Sequence, residues 1–144
     1  MFETFDNKAD IGVRGKGKSI EQAFEECAKA LTSIMADIDL IEPKKAHVLE
    51  VKANDYGALL VSFLNELLVL KDIKRIIYSQ FRVKILQEKN PEGKEIFILK
   101  ATVFGEKINS KKHSLKVDPK AATYSQLLVD KKENEWVAQC IIDV

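Results

Sequence analysis

Residues 19–35 read SIEQAFEECAKALTSIM, and this stretch does most to decide the fold. Its apolar residues recur at steps of three and four, while its charged residues fall on the opposite side. This spacing predicts an amphipathic helix from about Ile20 to Met35. Ser19 followed by Gln22 fits a capping box, which marks the beginning of the helix. The apolar face of this helix must be covered by other parts of the chain.

A second amphipathic helix begins near Asn54 and Asp55, both suitable N-caps, and carries a leucine-rich stripe as far as Leu68. Most other segments are short runs of β-forming residues separated by polar turns. Strands are predicted near residues 11–13, 44–52, 81–85, 96–104, 123–129 and 135–143. Because strands outnumber helices and mostly follow one another as hairpins, the sequence predicts an α+β fold. Residues 1–144 are expected to form a single domain, a largely antiparallel β-sheet packed with two amphipathic helices.

The overall charge excludes one broad class of function. The chain has 144 residues, with 23 Lys and Arg against 22 Asp and Glu and a formal net charge of +1. Proteins held on nucleic acid by a general electrostatic field are markedly basic, and this chain is not. The balanced charge does not exclude a local basic patch or a protein partner.

Several features predict a soluble cytoplasmic protein with no membrane partner. Cys27 and Cys140 are far apart and outside any CxxC motif, which is typical of reduced core thiols. The N-terminal residues contain no basic segment followed by an apolar one, so they do not resemble a secretory signal. The longest apolar-rich stretch, residues 59–70, is too short and too polar to span a bilayer.

Residues 14–19, RGKGKS, superficially suggest a phosphate-binding loop. That motif needs four residues between its glycines so that backbone N–H groups can wrap a phosphate, and here the spacing is wrong. We interpret the segment as a strand-to-helix turn in which Gly15 and Gly17 allow positive φ and Ser19 caps the helix.

The most basic part of the chain surrounds His113, in the segment Lys107–Lys120. A basic loop of this kind is usually a solvated surface. The alternative is a contact for RNA phosphate or for an acidic partner protein.

The C-terminal residues suggest a metal site. Asp143 and the α-carboxylate of Val144 place two carboxylates within one residue of each other at the end of a predicted strand. Two hard oxygen donors suit Ca²⁺ or Mg²⁺ if another carboxylate arrives from elsewhere, and Asp10, which leads into the first predicted strand, is a candidate. The alternative is that these carboxylates only cap turns, which is their commoner role.

The order of several short motifs resembles the archease family along the whole chain. Residues 8–12, KADIG, are similar to the Ala-Asp-Ile-Gly opening of that family. The other matching segments are residues 17–24 (GKSIEQAF), 59–68 (LLVSFLNELL), 105–106 (GE), His113, 120–124 (KAATY), Trp136 and 141–144 (IIDV).

This resemblance implies a small α+β protein that assists the RtcB-type RNA ligase, which joins tRNA halves after intron removal. It implies a non-catalytic activator that promotes ligase guanylylation and multiple turnover and meets tRNA only through the ligase. It also implies a divalent ion, commonly Ca²⁺ with Mg²⁺ or Mn²⁺ as alternatives, held by Asp10, Asp143 and Val144. Lys120 matches a family lysine and is expected on the same functional face, with His113 as a further candidate there.

The chain departs from the family pattern at two places. Asn7-Lys8 replaces the usual His-Thr, so any role of that histidine is lost or moves to the Asn7 amide. Pro119 replaces an aliphatic residue, and because proline lacks an N–H the strand is expected to begin at or after Lys120. Two other functions stay open: a general RNA-binding or chaperone module that uses Lys107–Lys120, and an independent metal-dependent enzyme.

Overall fold

The computed structural model describes residues 1–144 and contains three helices and eight strands. The helices are α1 (Ile20–Met35), α2 (Tyr56–Lys74) and α3 (Ser110–His113), and a short 3₁₀ turn covers Ile38–Leu40. The strands are β1 (Phe2–Asn7), β2 (Asp10–Gly17), β3 (Lys45–Ala53), β4 (Ile76–Lys89), β5 (Glu95–Lys107), β6 (Ala121–Ala122), β7 (Leu128–Lys132) and β8 (Glu135–Asp143).

The strands form two antiparallel sheets. In the five-stranded sheet the order is β1-β2-β8-β6, and β7 pairs with β8 on the same side as β6. In the three-stranded sheet the order is β3-β5-β4. The α+β class and the antiparallel pairing are therefore confirmed, whereas the expected single sheet is replaced by two.

Both long helices begin at the predicted residues. The hydroxyl of Ser19 accepts a hydrogen bond from the backbone N–H of Gln22 at 3.0 Å, and the Gln22 side chain accepts one from the Lys18 N–H at 2.7 Å. The Asp55 carboxylate accepts one from the Ala58 N–H at 2.7 Å. These contacts satisfy N–H groups that have no partner inside the helix.

The two helices lie between the sheets, because each of them packs against strands of both. Their apolar faces contribute to one core of 31 buried residues, in which the rings of Phe24 and Phe63 stack at 6.3 Å. The Thr32 hydroxyl donates a hydrogen bond to the Tyr78 carbonyl at 2.8 Å and ties α1 to β4. Neither long helix has the combination of length and apolar character that a membrane crossing requires.

Glycine is needed in β2 for a reason that the sequence did not indicate. Gly15 lies inside the strand, without positive φ, where a Cβ atom would come within 2.2 Å of the Cys27 nitrogen and 2.3 Å of the Ala23 oxygen. The predicted positive φ at Gly15 and Gly17 is therefore wrong. Gly15 instead permits close packing of α1 on β2. Cys27 and Cys140 are buried free thiols, as expected.

Candidate functional site

The pairing of β2 with β8 brings the beginning of β2 next to the end of β8. The ladder ends where Ile11 lies opposite Ile142, and Asp10 and Asp143 are the next residue of each strand. Both aspartates therefore lie at the same end of these two neighbouring strands. We refer to Asp10, Asp143, Val144 and Lys120 together as the strand-end cluster.

Lys120 joins this cluster from the other side of β8. Its backbone N–H donates a hydrogen bond to the Asp143 carbonyl at 2.8 Å, and Ala121 then pairs with Asp143 as β6 begins. The strand thus starts directly after Lys120, which confirms the expected effect of Pro119. Lys120 itself is exposed, whereas Asp10 and Asp143 are partly buried.

The acidic members of the cluster have no basic partner in the protein. No Lys, Arg or His nitrogen lies within 4.0 Å of the Asp10, Asp143 or C-terminal carboxylate oxygens. Like charges close together on neighbouring strands destabilise a sheet unless something neutralises them. Carboxylate oxygens are the kind of ligand that Ca²⁺ and Mg²⁺ prefer, but two aspartates are too few for a complete site without Val144, backbone carbonyls or water. The chain contains no group of three or more His, Cys, Asp or Glu side chains arranged to hold a metal.

Asn7, one of the residues that depart from the family pattern, holds the turn before Asp10. Asn7 pairs with Asp10 at the end of the β1–β2 hairpin, and Lys8 in the turn has a φ of 57°. The Asn7 side-chain oxygen accepts a hydrogen bond from the Gln126 amide at 2.8 Å. The Asn7 amide therefore ties the hairpin to the loop between β6 and β7.

An asparagine of α2 fixes the backbone of β6. The Asn65 side chain donates to the Ala122 carbonyl at 3.1 Å and accepts from the Ala122 N–H at 2.8 Å. This pair of hydrogen bonds replaces the strand partner that β6 lacks on its outer side. Asn65 thereby anchors the strand that follows Lys120.

The segment before Lys120 closes the C-terminal end of α1. The backbone N–H groups of Lys116 and Val117 donate to the carbonyls of Met35 and Ile34, at 2.8 and 3.2 Å. These carbonyls belong to the last turn of the helix and have no partner within it. The Asp118 carboxylate then accepts a hydrogen bond from the buried Lys71 ammonium at 2.6 Å, which joins the same segment to α2.

His113, a candidate for the functional face, has a fully buried side chain. Its Nδ1 accepts a hydrogen bond from the Asn109 N–H at 3.0 Å, and its Nε2 donates to the Glu106 carboxylate at 2.8 Å. A neutral ring with its proton on Nε2 satisfies both contacts. His113 therefore fixes the path of the segment that leads to Lys120.

Glu106 is the acceptor at the centre of this arrangement. Its carboxylate lies 2.8 Å from the Lys112 ammonium and accepts a further hydrogen bond from the Glu42 N–H at 3.1 Å. Lys112 and then His113, by donating hydrogen bonds, lower the pKa of Glu106 from 4.5 to about 2. Glu106 is therefore ionised at neutral pH and anchors the basic segment internally.

The basic segment Lys107–Lys120 is thus only partly available to a partner. Lys112 is engaged by Glu106 and Glu42, and the Lys116 ammonium donates to the Ser33 carbonyl at 3.3 Å. Lys107 and Lys111 are exposed.

The sequence was compared with known protein families, and the model described as "Archease protein family (MTH1598/TM1083)" matches residues 2–144. The chain belongs to the archease family. It is 39% identical to the protein archease of Pyrococcus abyssi and 40% identical to that of Thermococcus kodakarensis. Each match covers 99% of this chain and 98% of the relative.

The fold agrees with a solved structure from a methanogen. The solution structure of protein 1598 of Methanobacterium thermoautotrophicum superposes with a TM-score of 0.79 at 27% identity. The match covers 99% of this chain and 98% of that chain. The two-sheet arrangement described above is accordingly an archease fold.

Two residues of this archease fold escaped the sequence-based assignment of the site. Asn65 is a polar residue inside the leucine-rich stripe of α2, and that interruption was the available signal. Glu106 belongs to the GE segment that matches the family, but its role was not apparent because its three donors come from residues 42, 112 and 113 and meet only in the folded chain.

Proposed function

We propose that this protein is a non-catalytic activator of an RtcB-type RNA ligase. In this role it promotes ligase guanylylation and multiple turnover in tRNA splicing and RNA repair, and it meets tRNA through the ligase. Membership of the archease family supports the proposal. The observation that carries it is the pairing of β2 with β8, which ends one residue short of Asp10 and Asp143, with the Lys120 N–H bonded to the Asp143 carbonyl.

We further propose that Asp10, Asp143 and the C-terminal carboxylate of Val144 bind a divalent cation, with Ca²⁺ preferred over Mg²⁺ or Mn²⁺. Ca²⁺ accepts six to eight oxygen ligands in irregular arrangements, which suits two side chains and a terminal carboxylate supplemented by carbonyls and water. When bound, the ion supplies positive charge that can stabilise phosphate oxygens during nucleotide transfer. Lys120 contributes a second positive charge, which can pair with a phosphate or a carboxylate of the ligase.

A multiple-turnover ligation assay with an RtcB-type ligase tests the activator function. We expect the wild-type protein to raise the number of products formed per ligase. Asp143→Asn is expected to abolish most of this stimulation, because it removes one of the two aspartate carboxylates of the strand-end cluster. Asp130→Asn is the matched control, since Asp130 is exposed on β7 and pairs with Val137, far along β8 from Asp143. Full stimulation by Asp143→Asn would remove the strand-end cluster from the mechanism.

Calorimetric titration with Ca²⁺ and Mg²⁺ tests the cation site without the ligase. We expect one site in the wild-type protein and in Asp130→Asn, and at least a tenfold weaker site in Asp10→Asn and Asp143→Asn. Equal affinity in all four proteins would contradict the assignment of the ligands.

A further inference from the structure

The three-stranded sheet has one face in the core and one face that no helix covers. Alternate residues along β3, β5 and β4 belong to the core, among them Leu49, Leu99 and Phe81. The residues between them point the other way, because side chains alternate along a strand. We call this second side the outer face. Its central positions are Val48 and Glu50 of β3, Lys100 and Thr102 of β5, and Arg82 and Lys84 of β4.

The charges on the outer face are arranged unfavourably for the isolated protein. Lys84 lies directly opposite Lys100 across β4 and β5, and like charges in that position destabilise a sheet. Lys100 has Glu50 on its other side at 3.9 Å, but that carboxylate is also 3.9 Å from Lys52. Neither Lys84 nor Arg82 has a carboxylate within 4.0 Å. The face therefore carries positive charge that the protein itself does not neutralise.

The same face has a shallow, open depression and apolar surface beside the cations. A depression of about 710 Å³ lies over the middle of the three strands and is lined by Val48, Arg82, Lys84 and Lys100, among others. The Val48 side chain is 80% exposed, an unusual position for a large apolar residue. The Arg82 guanidinium lies 5.2 Å from the centre of the Phe104 ring, in the next row of the sheet.

We propose that the outer face binds single-stranded RNA. Arg82 and Lys84 contact backbone phosphates, and Lys100 joins them once a phosphate relieves its repulsion with Lys84. The Arg82–Phe104 pair and Val48 offer flat and apolar surface against which bases pack. Proteins bind single strands without strong sequence preference by this combination of a basic groove and stacking surfaces. An acidic protein segment would use the lysines but would gain little from the guanidinium–ring pair, so RNA is the better fit.

The charge and shape of the outer face support binding of a single strand, and this part of the proposal does not depend on the proposed function. The choice of RNA rather than DNA does rest on the proposed function. The outer face consists of β3, β4 and β5, while the strand-end cluster belongs to the five-stranded sheet. The proposal therefore assigns this protein a second surface, which adds direct contact with single-stranded RNA to the contact with tRNA that the ligase mediates.

Fluorescence anisotropy with a labelled 12-nucleotide oligouridylate tests the proposal without any ligase. The test variant is Arg82→Gln with Lys84→Gln, and the matched control is Lys131→Gln with Lys132→Gln. Both pairs remove two positive charges from exposed strand residues, and the control pair lies on β7 of the other sheet. At 0.1 M salt each lost phosphate contact weakens single-strand binding about fivefold, so the test variant should bind about 25-fold more weakly. Its slope of log affinity against log salt should fall by about 1.4.

Circular dichroism and thermal unfolding check that every variant is folded. The proposal is overturned if the wild-type protein does not bind the oligonucleotide, or if the control variant loses as much affinity as the test variant. It is also overturned if Lys107→Gln with Lys111→Gln causes the main loss, which would assign RNA to the basic segment. Stronger binding of a polyglutamate peptide than of the oligonucleotide would assign the face to an acidic protein. Asp143→Asn should bind RNA normally, so failure of the ligase function and failure of this proposal give different results.

Discussion

Replacing Glu106 by Gln tests whether one buried carboxylate holds the segment that leads to Lys120. The glutamine keeps the size of the side chain and one acceptor oxygen, but it loses the negative charge that faces Lys112 and His113. The Glu42 N–H, the His113 Nε2 and the Lys112 ammonium all contact the same oxygen, Oε1, so glutamine can keep these contacts while losing the charge that strengthens them. We therefore expect the variant to fold but to be less stable at neutral pH.

The pKa of Glu106 sets both the size and the pH dependence of this loss. A fall from 4.5 to about 2 corresponds to about 3 kcal/mol if nothing screened it, and the 37% exposure of the Lys112 side chain reduces this to about 2 kcal/mol. Because the folded protein has the lower pKa, the unfolded chain binds more protons as the pH falls. The stabilisation is complete above pH 4.5 and is lost as the pH falls towards 2. Glutamine does not titrate, so the difference between the two proteins should shrink over that range.

Urea unfolding of both proteins at pH 7, 4.5, 3.5 and 2.5 measures this difference directly. Glu50→Gln is the control, because Glu50 is exposed and its two lysines are 3.9 Å away. We expect it to change the free energy of unfolding by less than about 0.5 kcal/mol at every pH. A loss in Glu106→Gln that stays constant from pH 7 to pH 2.5 would refute the electrostatic account and leave only a packing effect.

Two further substitutions test the packing and the anchoring of the site. Gly15→Ala should destabilise the protein by about 3 kcal/mol or more, since its Cβ would meet the Cys27 nitrogen at 2.2 Å. Thermal unfolding measures this loss. An unchanged melting temperature would contradict the close packing of α1 on β2. Asn65→Ala removes both hydrogen bonds to Ala122 and should cost about 2 kcal/mol in urea unfolding and lower the stimulation of ligation. Asn65→Asp should be at least as destabilising as Asn65→Ala at neutral pH, because a carboxylate oxygen would then face the Ala122 carbonyl.

The helices were predictable because their signals are local. The spacing of the apolar residues and the caps at Ser19 and Asp55 lie within a few residues of each helix start. The same holds for the hairpin of β4 and β5, whose turn follows from Asn90, Pro91 and Gly93. The predicted strand at residues 81–85 is shorter than β4, which runs from Ile76 to Lys89. Buried residues on both faces hide the alternation of β4 near Ile76.

The division into two sheets was not predictable from the same signals. β2 pairs with β8 and β3 pairs with β5, and each of these pairings joins segments that are distant in sequence. β1 was also missed, since its exposed and partly buried residues give only a weak pattern around Phe2 and Phe5. The role of Gly15 depends on how close α1 comes to β2, which no residue near Gly15 in the sequence reveals.

For the candidate site, the charge of the carboxylates and their positions in the sequence indicated which residues lie together. The burial of a side chain such as His113 could not be predicted. The carboxylates near the two ends of the chain suggested a common site, and the register of β2 and β8 is consistent with it. His113 lies in the most basic part of the sequence, where a solvated position is the natural expectation. Its burial depends on Glu106, an acceptor on a neighbouring strand, and on a backbone N–H four residues before it.

Different structural elements hold the aspartates and the lysine of the strand-end cluster, so a substitution can disturb one without the other. Asp10 and Asp143 are carried by β2 and β8, which pair along seven residues in the interior of the five-stranded sheet. Lys120 directly precedes a two-residue strand that Asn65 holds, and it follows a segment that His113 anchors. Loosening these anchors shifts the lysine and leaves the two aspartates in place. Under the proposed function, Asn65→Ala should therefore reduce ligase stimulation while the affinity for Ca²⁺ is preserved, whereas Asp10→Asn should reduce both.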